Sequence, residues 1–95
     1  MKNEICKAIR NKKIIKFLYD GESRTVEPHC YGLTTKGNEA IRAYQIAGYS
    51  SSGKMGWKLY DLSKAGNIQV LDESFDIRND YKKGDKGMSE IYCEL

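Results

Sequence analysis

Two adjacent residues, Asp20-Gly21, constrain this chain more than any others. They stand between two runs rich in β-formers, and an Asp-Gly pair supplies the left-handed conformations that a tight hairpin turn needs. Upstream, residues 14–20 alternate Ile15, Phe17 and Tyr19 with Ile14, Lys16 and Leu18. Downstream, residues 23–31 carry Thr25 and Val26, which also favour strand. Pro28 has no N–H to give a ladder, so this second strand is expected at a sheet edge or interrupted near that residue.

The rest of the chain extends the same theme. Residues 3–12 predict a short helix, with Ile5, Ala8 and Ile9 at helical spacing, Cys6 beside them and Asn3 as its N-cap. Residues 32–38 read as a loop, and 39–48 as a third strand whose inner face is either Ile41-Ala43-Gln45 or Arg42-Tyr44-Ile46. A Gly- and Ser-rich connection from Gly48 to Gly56 leads to a fourth strand, Trp57 to Leu62, and then a short turn and a fifth strand at 67–71. The expected fold is therefore mainly β (α+β). An N-terminal helix precedes a five-stranded small antiparallel barrel, because short strands hide their edges most easily by curling. Residues 1–75 form this unit. Residues 76–95 form an extension, mobile over its charged first part. Its end fits both strand and helix spacing and is read as an extra strand over 89–95.

Composition narrows the function. At 95 residues there is room for one domain. No apolar run approaches a membrane span, and the charged start lacks the apolar segment of a signal peptide, so a cytoplasmic protein is expected. His29 is the only histidine, and Cys6, Cys30 and Cys93 are far apart with no paired metal-ligand spacing. No metal, cofactor or disulfide is expected, and the three thiols read as small buried groups. Positive charge gathers early: Lys2, Lys7, Arg10, Lys12, Lys13 and Lys16 face a single acid, Glu4. Lys7, Arg10 and Lys13 would share the outer face of the helix, as an anion-steering patch or as a solvated face.

The order of motifs resembles the WYL-domain family. The resemblance runs through Ala8-Ile9-Arg10, the strand ending at Tyr19, Ser23-Arg24-Thr25-Val26-Glu27-Pro28, Tyr31-Gly32-Leu33, Ile41-Arg42-Ala43-Tyr44, Trp57-Lys58-Leu59 and Val70-Leu71-Asp72-Glu73-Ser74-Phe75. It covers about residues 5–75. The name-giving triplet falls at Glu39-Ala40-Ile41, where only the aliphatic third position is kept. The resemblance implies a divergent branch without the helix-turn-helix that precedes such domains in bacterial regulators. It also implies an Sm-like barrel and a ligand-sensing, regulatory role, with nucleic acid or a nucleotide-like anion as ligand. It does not imply catalysis.

On this reading the ligand side chains are Arg24, His29, Tyr31, Arg42, Tyr44 and Lys58. Arginine pairs with phosphate through a bidentate fork, and aromatic rings stack on bases. Each has a plainer alternative: a carboxylate partner for Arg42, core packing for Tyr44, a buried hydrogen-bonded ring for His29. Trp57 is either a core anchor or a stacking platform. The Gly48–Lys54 loop has the spacing of a phosphate cradle, but Met55 stands where a P-loop needs Ser or Thr. The alternative function is a protein-interaction module, as a homodimer or as the partner of a regulator protein, working through an exposed strand edge.

Overall fold

The computed structural model describes residues 2–95. Helix α1 (Lys2–Arg10) buries Ile5, Cys6, Ala8 and Ile9 along one stripe. Burying Ile5 and Ile9 fully contributes about 1.5–3 kcal/mol each. Glu4 in the first turn and Lys7 and Arg10 in the last complement the helix dipole. The helix starts one residue before Asn3, which therefore lies inside it. It stops at Arg10 because Lys12 turns left-handed, with φ +53°.

Six antiparallel strands follow: β1 (Lys13–Tyr19), β2 (Glu22–Thr34), β3 (Glu39–Gly48), β4 (Gly56–Asp61), β5 (Ala65–Ser74) and β6 (Met88–Glu94). A single 3-10 turn, Leu62–Lys64, links β4 to β5. Asp20 and Gly21 both have positive φ, 51° and 82°, so the β1–β2 turn is the tight one their sequence predicts. The order across the sheet is β4-β3-β2-β1-β5, and β6 joins β2 beside β1.

The expected closed five-stranded barrel is corrected. Among the described residues β4 and β5 form no ladder, so the curved sheet does not close and both remain edge strands. Side chains bridge the interior instead. The Asp61 backbone N–H donates to Tyr19 Oη at 3.1 Å, and the Tyr19 and Tyr60 rings meet edge-on at 5.1 Å. Helix α1 covers the rest of the inner face, packing on Ile15, Val26, Tyr31 and Ile41.

β2 is longer than its sequence suggests and lies centrally, not at an edge. On its β1/β6 side the pairing stops at Val26 and resumes at Cys30. Pro28 occupies that interruption, next to a register shift against β3. Beyond it, Gly32 allows β6 to approach closely: a Cβ there would run into the Glu90 carbonyl. The ambiguous C-terminal run is thus a strand, because β2 offers it a ladder.

Two further expectations change. Cys6 and Cys93 form a disulfide, since α1 packs on β6 and brings their Cα atoms to 5.7 Å across 87 residues of sequence. Only Cys30 is free, and it is buried. Residues 76–87, expected to be mobile, carry no strand but are tied to the outer face of the sheet. Arg78 Nε donates to Glu27 Oε1 at 2.7 Å, Trp57 Nε1 to Asp80 Oδ2 at 3.0 Å, and Arg42 Nε to Asp85 Oδ2 at 2.6 Å.

Candidate anion-binding site

Strand alternation sorts the sheet into two faces. The inner face carries Ile15, Phe17 and Tyr19 on β1, Arg24 and Val26 on β2, Ile41, Ala43 and Gln45 on β3, and Lys58 and Tyr60 on β4, as the register pairs show. It is apolar under α1 and turns polar at the far end, where Arg24, Gln45, Lys58, Tyr19 and Tyr60 gather.

Arg24 is the unusual residue. Its pairing with Phe17 sets it inward, and only 7% of it is exposed. The ion pairs among the described residues are Arg42–Asp85 and Arg78–Glu27, so Arg24 has no carboxylate partner. Its guanidinium carbon lies 5.3 Å from the Tyr19 ring centre and 5.2 Å from that of Tyr49. Such cation–π contacts contribute about 0.5–2 kcal/mol, less than an enclosed charge costs. Three buried polar atoms at this end have no hydrogen-bond partner: Arg24 Nε, Gln45 Oε1 and Tyr60 Oη. Each unmade bond costs about 1–3 kcal/mol.

The neighbours are fixed by their other contacts. Gln45 Nε2 donates to the carbonyls of Ala47 and Tyr49 at 3.1 and 2.8 Å, which leaves its oxygen as the free acceptor. Burial pushes the Tyr60 phenol up to about 12, against the opposing pull of the Arg24 charge. Tyr60 therefore stays protonated and able to donate. Gly48, at φ +92°, lets the β3–β4 loop fold back so that the Tyr49 N–H donates to the Ser23 carbonyl at 2.9 Å. A Cβ at residue 48 would strike that carbonyl. This fold-back sets Tyr49, half exposed, beside Arg24. From the same face Lys58 Nζ donates to Ser50 Oγ and Ser52 Oγ at 3.1 and 3.2 Å. Two cations, three phenols and two serine hydroxyls thus lie on the inner face and its adjoining loop, groups suited to an oxyanion.

The sequence-predicted residues divide accordingly. Arg24 and Lys58 are at this end. His29 is fully buried on the outer face, ringed by Trp57, Phe75 and Tyr81. Its Nδ1–H donates to the Glu27 carbonyl at 2.8 Å and its Nε2 accepts the Arg78 N–H at 3.2 Å. Burial holds its pKa below the usual histidine value. Tyr31 is core, with its hydroxyl on Glu39 Oε1 at 2.8 Å. Arg42 is bidentate to Asp85, and Tyr44 lies under the Arg78 guanidinium at 3.8 Å, against Trp57. The expected grouping of Arg24 with Arg42 and Tyr44 is thereby corrected: they sit on opposite faces, and residues 76–87 cover the second. Lys7 and Arg10 are exposed on α1, while Lys13 reaches across to the Asp72 carbonyl and Ser74 Oγ. Sequence reasoning missed Tyr19, Gln45 and Tyr60, whereas Ser50 and Ser52 belong to the Gly48–Lys54 loop already weighed as a phosphate cradle. The signal for Gln45 was present: a polar residue in phase with Ile41 and Ala43.

Among the described residues no group of His, Cys, Asp and Glu is placed to hold a metal, and no helix is long and apolar enough to cross a membrane. Comparison with family models, with curated proteins and with solved structures returned no match.

Proposed function

We propose that this chain is a non-catalytic, ligand-sensing module that binds a phosphate-bearing anion, a nucleotide or single-stranded nucleic acid, at the polar end of the inner face. One observation carries the reading: Arg24 is a buried guanidinium with no acidic partner, between two tyrosine rings. A phosphate oxygen would give Arg24 its missing acceptor and take the Tyr60 hydroxyl as donor, while Lys58, Ser50 and Ser52 hold the remaining oxygens. Tyr49, exposed at the rim, offers a stacking face to a base. The WYL-like, Sm-like kinship and a role in transcription regulation belong to the same proposal. The non-catalytic reading is supported by His29, whose two ring nitrogens are both engaged, and by Cys30, whose thiol is pushed up to about 11 by burial.

The test is fluorescence anisotropy with labelled single-stranded DNA, RNA and nucleotide at two salt concentrations. Binding should weaken as salt rises, because phosphate contacts release counterions. Arg24→Met should abolish it without unfolding the protein, since removing an unpaired buried charge in favour of an apolar chain of similar length does not destabilise. Arg42→Ala should leave it intact. Absence of binding at low salt, or binding indifferent to Arg24→Met, would overturn the proposal.

A further inference from the structure

The three unpartnered atoms at the polar end of the inner face differ in chemistry, and the difference selects among phosphate-bearing ligands. Arg24 Nε and Tyr60 Oη have hydrogens to give, whereas Gln45 Oε1 can only accept. The Gln45 amide cannot be turned the other way. Its nitrogen faces the carbonyls of Ala47 and Tyr49 at 3.1 and 2.8 Å, and an amide oxygen placed there would meet two acceptors. The residue is fully buried. Its oxygen is therefore a fixed, enclosed acceptor that no donor of the protein meets. Tyr49 joins it to the arginine: Gln45 holds the Tyr49 carbonyl, and the Tyr49 ring centre lies 5.2 Å from the Arg24 guanidinium carbon. The Arg24 charge acts in turn on the Tyr60 phenol.

We infer that Gln45 reads a ribose 2′-hydroxyl, so that among single strands this end prefers RNA to DNA; the inference rests on the phosphate reading of the Arg24 site. A phosphodiester offers oxygens to Arg24 and Tyr60 but has no hydrogen for Gln45. Inside a strand the 3′ and 5′ hydroxyls are esterified, and deoxyribose then carries no donor at all. The 2′-hydroxyl lies next to a backbone phosphate and donates. A protonated phosphate donates as well, but only at a strand end, and the Arg24 and Lys58 charges favour its fully ionised form. A base N–H is misplaced for the role: the stacking face is Tyr49, half exposed at the rim, while Gln45 is buried behind it. The sugar reaches Gln45 past the Tyr49 ring, which turns outward to stack on the base, in a loop exposed from Ser51 to Met55.

The test uses the full chain and fluorescein-labelled oligouridine strands of equal length: RNA, DNA, and RNA with 2′-fluorine in place of the hydroxyl. Fluorine keeps the ribose pucker and removes the donor. At low salt the RNA should bind about tenfold tighter than either of the others, the effect of ~1.4 kcal/mol that one hydrogen bond to a buried group supplies. Gln45→Met should bring the ratio of RNA to DNA affinity close to one. Tyr60→Phe should weaken both strands and keep their ratio. The strand series needs no substitution, so it decides the matter even where Gln45→Met, which also frees the Ala47 and Tyr49 carbonyls, fails to fold. RNA and DNA binding alike would assign Gln45 Oε1 to a bridging water; that overturns the inference and leaves the Arg24 reading standing. An RNA preference that the 2′-fluoro strand shares, or that survives in folded Gln45→Met, overturns it too, by assigning the choice to sugar shape or to another acceptor. Binding by no strand overturns the Arg24 reading itself, and this inference with it.

Discussion

Reducing the Cys6–Cys93 bond, or replacing both residues with alanine, should cost this fold a large part of its stability. The bridge spans 87 residues of sequence, nearly the whole chain. Cross-linking ends that far apart removes unfolded-state entropy worth about 4–5 kcal/mol at 25 °C. Domains of this size are stable by only about 5–15 kcal/mol in total. With a urea dependence of about 1–3 kcal/mol per molar, the midpoint should fall by roughly 1.3–5 M. Trp57, packed against His29, Tyr44 and Tyr81, reports the transition by fluorescence. Thiol titration in denaturant should find one reactive group, Cys30, before reduction and three after. Three thiols in unreduced protein, or a midpoint shift below about 0.5 M, would refute the reasoning. Alkylating the protein at lysis reads its compartment as well: three trapped thiols would return the expectation of a reducing, cytoplasmic setting.

Other outcomes follow from single contacts. Because burial lowers the pKa of His29, the unfolded chain takes up a proton near pH 6.5 that the folded chain refuses. Stability should therefore fall as pH drops below that value, by at most about 1.4 kcal/mol per pH unit, and His29→Gln should flatten the slope in urea titrations at pH 5 to 7. Protonating Nε2 also removes the acceptor for the Arg78 N–H, so hydrogen exchange at Arg78 should speed up in acid. Gly48→Ala should cost about 1–3 kcal/mol, as it combines a left-handed backbone with a collision at the Ser23 carbonyl, and should weaken anion binding by displacing Tyr49. Gly21→Ala, left-handed but in open space, should cost about 1 kcal/mol and leave binding unchanged. Asp85→Asn should cost about 1–3 kcal/mol by breaking the bidentate pair with Arg42, with no effect on ligand affinity.

The parts of the fold legible in the sequence are those set by neighbours along the chain. The Asp20-Gly21 turn, the alternation in β1 and β3 and the apolar stripe of α1 each state their structure within ten or so residues. What was hidden depends on distant partners. β2 continues past Tyr31 because Gly32 admits β6, which comes from some 60 residues away. Pro28 does interrupt a ladder, but inside a central strand, where two different strands share one side of β2. The disulfide has no signature in cysteine spacing, since only the packing of α1 on β6 brings the sulfurs together. The site was half legible for the same reason. Arg24 and Lys58 stood out by type, whereas for Arg42 ligand and carboxylate partner both stood open until Asp85, 43 residues on, was seen to hold it. Gln45 and Tyr60 matter only because the sheet curls and turns their phases toward Arg24.

The covalent link between α1 and β6 also sets how the molecule bears load. Among the described residues only 2–5 and 94–95 lie outside the ring it closes. Tension applied between the two ends therefore passes through the sulfur–sulfur bond, and no strand of the sheet is asked to carry it. In the reduced chain the same pull falls first on the packing of α1 against β6 and on the β2–β6 ladder. The oxidised molecule can extend by only a few residues before it resists as a covalent bond does, while the reduced one can peel open from its ends.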